Sequence, residues 1–125
     1  PETEQLMFEL SCAYNALEKF DDAIRGLLPA VKKAPKEPLL LRELGDAYAQ
    51  QLKTTDAEAV YKEGIACSIQ PDQQAEMAFN MVGAYFKTGD KKKFAEWGDI
   101  MKKYAAKDSA FLAYYTMFEK ELNKK

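Results

Sequence analysis

Apolar residues return at three- and four-residue steps along nearly the whole chain, and no stretch alternates strictly as a β-strand would. The spacing predicts seven helices divided by proline, glycine and capping residues. The first spans about Thr3 to Leu17 and turns Leu6, Met7, Leu10, Tyr14 and Leu17 inward. The second spans about Asp21 to Lys33, with Ala23, Ile24, Leu27, Leu28 and Val31 inward. Pro29 inside it lacks an N–H and crowds the carbonyl of Arg25, which predicts either a kink or a local break. Behind Pro35 and Pro38, the third helix runs from about Glu37 to Gln51 and buries Leu40, Leu41, Leu44, Ala47 and Tyr48. Thr55-Asp56-Ala57-Glu58 reads as a capping box opening the fourth, whose inward residues are Ala57, Val60, Tyr61, Ile65 and Ile69.

Pro71-Asp72 starts the fifth helix, carrying Ala75, Ala78, Phe79, Val82, Tyr85 and Phe86 inward. Gly89 then stops it and Asp90 caps the sixth, with Phe94, Trp97, Ile100, Met101 and Tyr104. Asp108-Ser109 caps the seventh, with Phe111, Leu112, Tyr115, Phe118 and Leu122. Turns this short, mostly two to five residues, force sequential helices to run antiparallel. The expectation is an all-α chain of three helical hairpins and one closing helix.

Superimposed on the helical period is a longer one. Leu10-Ser11-Cys12-Ala13-Tyr14 returns as Leu44-Gly45-Asp46-Ala47-Tyr48 and again as Met81-Val82-Gly83-Ala84-Tyr85. The tyrosines stand 34 and then 37 residues apart. A period of this size marks stacked units, each unable to bury its apolar face alone.

Composition narrows the function classes. The 125 residues are 47% hydrophobic and 30% charged, as in an ordinary globular domain, with no apolar run long enough to span a bilayer. No secretory signal opens the chain, although Pro1 suggests a trimmed N-terminus. A net charge of −2 gives no reason to expect nucleic acid. Residues 1–63 hold twelve acids against eight bases, and residues 64–125 eight against ten. Lys91-Lys92-Lys93, Lys102-Lys103 and the lysine tail read first as a solvated face. Cys12 and Cys67 match no metal or redox spacing, so two reduced thiols are expected, in a cytoplasmic compartment; a periplasmic one stays open. Histidine is absent, which removes the commonest acid–base group and zinc ligand. No metal or other cofactor is expected.

In these features the chain resembles the tetratricopeptide repeat family. Its second repeat carries Leu41, Leu44, Gly45 and Tyr48, then Ala57, Tyr61, Gly64 and Pro71. The first carries Met7, Leu10, Ser11 and Tyr14, then Ala23, Leu27, Ala30 and Pro35. The third keeps Tyr85 but has Val82 and Phe94 at small-residue positions and Gly98 where an aromatic is usual. Three added residues are expected to lengthen the turn around Ser68–Gln74. The resemblance implies a single domain with repeats over about 4–37, 38–74 and 75–107 and a closing helix over 108–123. It implies a right-handed superhelical α-solenoid. Gly45, Ala57 and Gly64 would admit close helix approach within a hairpin, and Tyr48 and Tyr61 would fill the space between successive hairpins.

By the same resemblance a concave groove is lined by the first helix of each hairpin. Carried over residue by residue, it comprises Gln5, Phe8, Cys12 and Asn15, then Leu39, Arg42, Asp46 and Ala49. The third repeat adds Glu76, Phe79, Gly83 and Phe86 with Asn80 and Lys87 beside them, and Leu112, Thr116 and Glu119 continue the line. The basic clamp with which some members hold a chaperone's C-terminal carboxylate is missing, since Phe8, Cys12, Asp46, Phe79 and Gly83 occupy its places. The implied function is a scaffold that presents an apolar groove to a segment of a partner protein, neither nucleic acid nor membrane. Self-association through the end helices is the alternative, because Phe111, Tyr114, Tyr115 and Phe118 are more aromatics than one neighbour covers. Glu43 could approach Asp46 or Glu9, but no nucleophile–base pair or phosphate loop accompanies them, so catalysis is not expected.

Overall fold

The structure is a computed structural model that describes residues 2–124, with side chains from Gln5 onward. Among the described residues the chain forms seven α-helices and no strand: α1 (Glu2–Ala16), α2 (Phe20–Lys33), α3 (Pro38–Gln50), α4 (Thr54–Cys67), α5 (Pro71–Thr88), α6 (Lys91–Tyr104) and α7 (Ala110–Asn123). None of these helices is long and apolar enough to cross a membrane. The chain divides into two compact units, Pro1–Cys67 and Ser68–Lys125.

Most helix boundaries follow from local chemistry. Pro38 and Pro71 stand at first-turn positions, where a missing N–H costs nothing. The side chains of Asp90 and Ser109 accept the N–H groups of Lys93 and Phe111 at 3.0 and 3.2 Å, capping α6 and α7. α4 departs from the expected capping box. The carbonyl of Lys53 already accepts the Ala57 N–H at 2.9 Å, so the helix opens at Thr54 and Thr55 lies inside its first turn. α2 continues without a break through Pro29.

In the first unit α1 packs on α2, α3 packs on both, and α4 packs on α3. Ala23, Leu27 and Ala30 of α2 meet Leu40, Leu44 and Ala47 of α3 in a buried cluster, with Phe8, Tyr14 and Tyr48 packed around it. Each fully buried leucine there contributes roughly 1.5–3 kcal/mol. Tyr61 does not fill the space between hairpins as expected. Its ring lies within the α3–α4 pair, directly over Gly45, where an added Cβ would come within 2.5 Å. The inward face assigned to α1 is also corrected. Leu6, Leu10 and Leu17 are exposed, while Ser11 is buried and Phe8, Cys12 and Asn15 are half-buried. Leu28 is exposed on α2, and Ile69 stands outside α4 altogether, in the connection after it.

The second unit pairs α5 with α6 and packs α7 on both. Its core holds Met77, Met81, Val82 and Tyr85 of α5, Phe94, Trp97 and Met101 of α6, and Tyr115 and Leu122 of α7. A Cβ on Gly98 would lie 2.2 Å from the Tyr115 ring, so the glycine that broke the repeat pattern makes room for a tyrosine of the next helix. The turn before α5 is not lengthened. It spans only Ser68–Gln70, closed by Gln74 donating its amide to the Ser68 carbonyl at 2.9 Å. The added residues extend α5 itself, to 18 residues against 13 in α3.

The backbone repeats where the sequence showed only a tyrosine frame. The carbonyls of Tyr14, Tyr48 and Tyr85 accept the N–H groups of Lys19, Lys53 and Asp90, five residues on, at 2.8, 2.9 and 3.2 Å. Between them Glu18, Leu52 and Gly89 take left-handed φ values of 60°, 57° and 79°. This is one helix-ending turn used three times, with the last carbonyls satisfied by the reversing chain. The chain is therefore a helical repeat in its backbone as well as in its pattern.

Candidate functional site

The residues assigned to a groove fall in both units, and the structure gathers them into two separate clusters. In the first unit the centre is Glu43, on α3 facing α1 and only 8% exposed. A buried carboxylate needs donors, and α1 supplies them. The Cys12 thiol donates to Glu43 Oε1 at 2.9 Å. Asn15 donates its amide to Glu43 Oε2 and to the Glu43 carbonyl, each at 3.1 Å. The Arg42 guanidinium stands 3.9 Å from Oε1.

Burial, the hydrogen bond to Glu43 and the Glu43 charge push the Cys12 thiol up to about 12, with Arg42 acting against them. The thiol is thus held protonated as a donor, the opposite of what nucleophilic or metal-ligating chemistry requires. Burial also raises Cys67. Among the described residues no group of three or more cysteines and acids could hold a metal ion.

The other groove candidates of this unit have mixed surroundings. Gln5 is exposed and donates to Glu9 of its own helix at 3.1 Å. Phe8 packs against the α2–α3 core, and Leu39 is half-buried in the first turn of α3. Asp46 accepts the Tyr61 hydroxyl, which ties it to α4. Glu43 was considered from sequence only as a candidate acid; its burial follows from its place between Cys12 and Asn15, which no periodicity reveals.

In the second unit Phe79 and Phe86, one face of α5 at two-turn spacing, lie against α7. Phe79 stacks on Phe111 with ring centroids 4.7 Å apart, and Phe86 stacks on Phe118 at 4.5 Å. Phe118 and Tyr114 also approach Phe79, at 6.1 and 6.0 Å. Stacked ring pairs of this kind contribute about 0.5–1.5 kcal/mol each beyond their buried area. The rings are not sealed in. Phe79, Phe86, Phe111 and Phe118 remain half-buried, while Tyr114 and Met117 are exposed. Asn80 is half-buried on α5, and Lys87 extends from its last turn, exposed. Tyr115 points the other way, buried against Phe94 of α6 at 4.8 Å, with Lys102 Nζ 4.4 Å above its ring.

The arrangement thus offers a polar clasp between α1 and α3, and an open aromatic shelf on α5 and α7. In the clasp the Glu43 carboxylate has its donors, while Asn15 Oδ1 and the neighbouring Ser11 hydroxyl are buried without a hydrogen-bond partner; the shelf has surface left to give. Compared with known proteins, the chain matches no protein-family model and no curated sequence.

Proposed function

We propose that this chain is a scaffold module of the tetratricopeptide type, which binds a segment of a partner protein. The observation that supports the reading best is the half-open shelf of Phe79, Phe86, Phe111, Phe118 and Tyr114, held on two helices of a repeating helical frame. Aromatic rings fixed on helices make good anchors, because they present large apolar area with little side-chain entropy left to lose. An apolar or amphipathic segment with aliphatic anchors suits such a surface. In the first unit, the Cys12–Glu43–Asn15 clasp would hold α1 on α3.

The test is capture of partners on the immobilised chain, followed by calorimetric titration of a captured partner. Tyr114→Ala should weaken that partner by about tenfold or more, on the scale of one lost aromatic contact, with its melting temperature unchanged. A partner that binds Tyr114→Ala as tightly as wild type would contradict the reading.

Self-association through the end helices is a second reading, favoured by a separate observation: Leu6 and Leu10 on α1, and Leu17 in the turn after it, are 64%, 46% and 66% exposed. Light scattering over a dilution series decides it. A mass that stays monomeric at every concentration removes it.

A further inference from the structure

Large apolar side chains exposed one at a time are ordinary on a protein surface. Here they are not scattered. Eight are exposed among the described residues, and five of these fall on two helical stripes. On α1 the stripe is Leu6, Leu10, Ala13 and Leu17, all exposed. Leu17 lies just past the helix end, but its N–H still reaches the Ala13 carbonyl at 3.0 Å, which keeps it in line. On α7 the stripe is Ala110, Tyr114, Met117 and Glu121, again all exposed. Both follow steps of four, three and four residues, the repeat with which one helix seats along another.

The two stripes fit each other in one register. Laid antiparallel with Leu10 opposite Met117, they bring Leu17 opposite Ala110 and Ala13 opposite Tyr114. Large then meets small at two levels, as interdigitating layers require. Charge selects the same arrangement. At 3.6 residues per turn, Glu9 lies about 60° to one side of Leu6, and Lys120 about 80° to the same side of Ala110. In an antiparallel pair those sides form one edge, and the two charges come within about 3 Å along the axis at 1.5 Å per residue. A parallel pair would put them on opposite edges. Pairing α1 with its own copy would set acid on acid, since its charged residues are all glutamate. The units differ in sign as well: the first holds twelve acids against eight bases, the second eight against ten. Helix dipoles favour acids early and lysines late in a helix, but they ask for neither apolar stripe.

We infer that α1 of one copy docks antiparallel on α7 of a second copy, with Leu10 against Met117 and Glu9 paired to Lys120. The inference rests on the self-association reading above and deepens it by naming the two faces, their direction and their register. Because the faces differ, each added copy leaves one of each kind free, and copies join head to tail until a ring closes. A single helix pair is smaller than a standard interface of about 1,200–2,000 Å². The contact is therefore weak, and dilution dissolves it. The Glu9–Lys120 pair lies at the rim, where salt screens it and where it fixes direction more than it adds affinity.

The test is sedimentation velocity of the whole chain over a dilution series, with Leu10→Glu blocking one face and Met117→Glu the other. Both positions are exposed, so each variant should melt as wild type does. Wild type should gain mass with concentration, and each variant alone should stay monomeric where wild type associates. An equimolar mixture of the two variants should form a one-to-one complex and grow no further, because each copy keeps the face the other has lost. Misfolded variants could not pair in this way. Glu9→Lys and Lys120→Glu should each raise the dissociation constant about threefold to tenfold, and combining both in one chain should restore it. A Met117→Glu chain that still dimerises alone, or a mixture that does not pair, would overturn the head-to-tail contact while leaving self-association intact. A wild type that stays monomeric at every concentration would overturn both.

Discussion

At the residue scale, two tyrosine rings decide where this chain tolerates a methyl group. Gly45→Ala and Gly98→Ala each push a Cβ into a buried ring. Each should destabilise by roughly 1–3 kcal/mol, the usual cost of overpacking, read as a lower urea midpoint at unchanged slope. Gly83→Ala, whose added Cβ meets no atom within 4 Å, should raise the midpoint, with a gain of about 0.5–1 kcal/mol in stability, the helix preference of alanine over glycine. The buried Glu43 carboxylate makes a second residue-level prediction. Cys12→Val removes one of its donors and should cost about 1–3 kcal/mol, whereas Cys12→Ser keeps a donor and should cost less. The thiol also sets a pH dependence. Its folded value is raised from 9.0 to about 12, so the native state resists deprotonation that the unfolded chain undergoes. That contribution is complete below pH 9 and is lost as pH rises from 9 toward 12. Denaturant midpoints across that window should fall less steeply in Cys12→Ser than in wild type.

The elements were legible in the sequence to the extent that their ends carry special chemistry. Pro38, Pro71, Gly89, Asp90 and Ser109 announce boundaries by what their own atoms can or cannot do, and the structure places boundaries at each. The turns after α1 and α3 were placed to within about a residue, but their left-handed conformation was not legible, because Glu18 and Leu52 occupy positions that glycine usually marks. Leu52→Gly relieves that conformation at an exposed site and should stabilise by about 1 kcal/mol, measured by thermal or urea unfolding. The inward face of α1 was read only in part, for a different reason: Met7 and Tyr14 are half-buried as expected, but Leu6 and Leu10 are exposed. Apolar residues lie on two sides of this helix, and periodicity cannot say which of two apolar sides finds a neighbour. The structure buries the side with Ser11 and half-buries Phe8 and Cys12. The candidate site divides in the same way. Phe79 and Phe86 could be placed on one face of α5 by counting, but their stacking on Phe111 and Phe118 depends on how α7 is seated, which no local signal specifies. Glu43 was hidden because acids are ordinarily exposed, and only the meeting of α1 with α3 supplies its donors.

At the scale of the whole molecule, each repeated helix ends in the same turn and each unit closes around its own core. A frame of this kind leaves its function to the side chains it displays, and the displayed aromatic surface is concentrated on α5 and α7. The scaffold account requires that a partner settle there. Amide hydrogen exchange of the whole chain, with and without a captured partner at saturation, tests this most directly, since binding slows exchange where it suppresses local opening. The account predicts slowed exchange in α5 and α7, centred on the turn that holds Phe79, Gly83 and Phe86. Slowing confined to the exposed leucine side of α1, or no slowing anywhere, would contradict it.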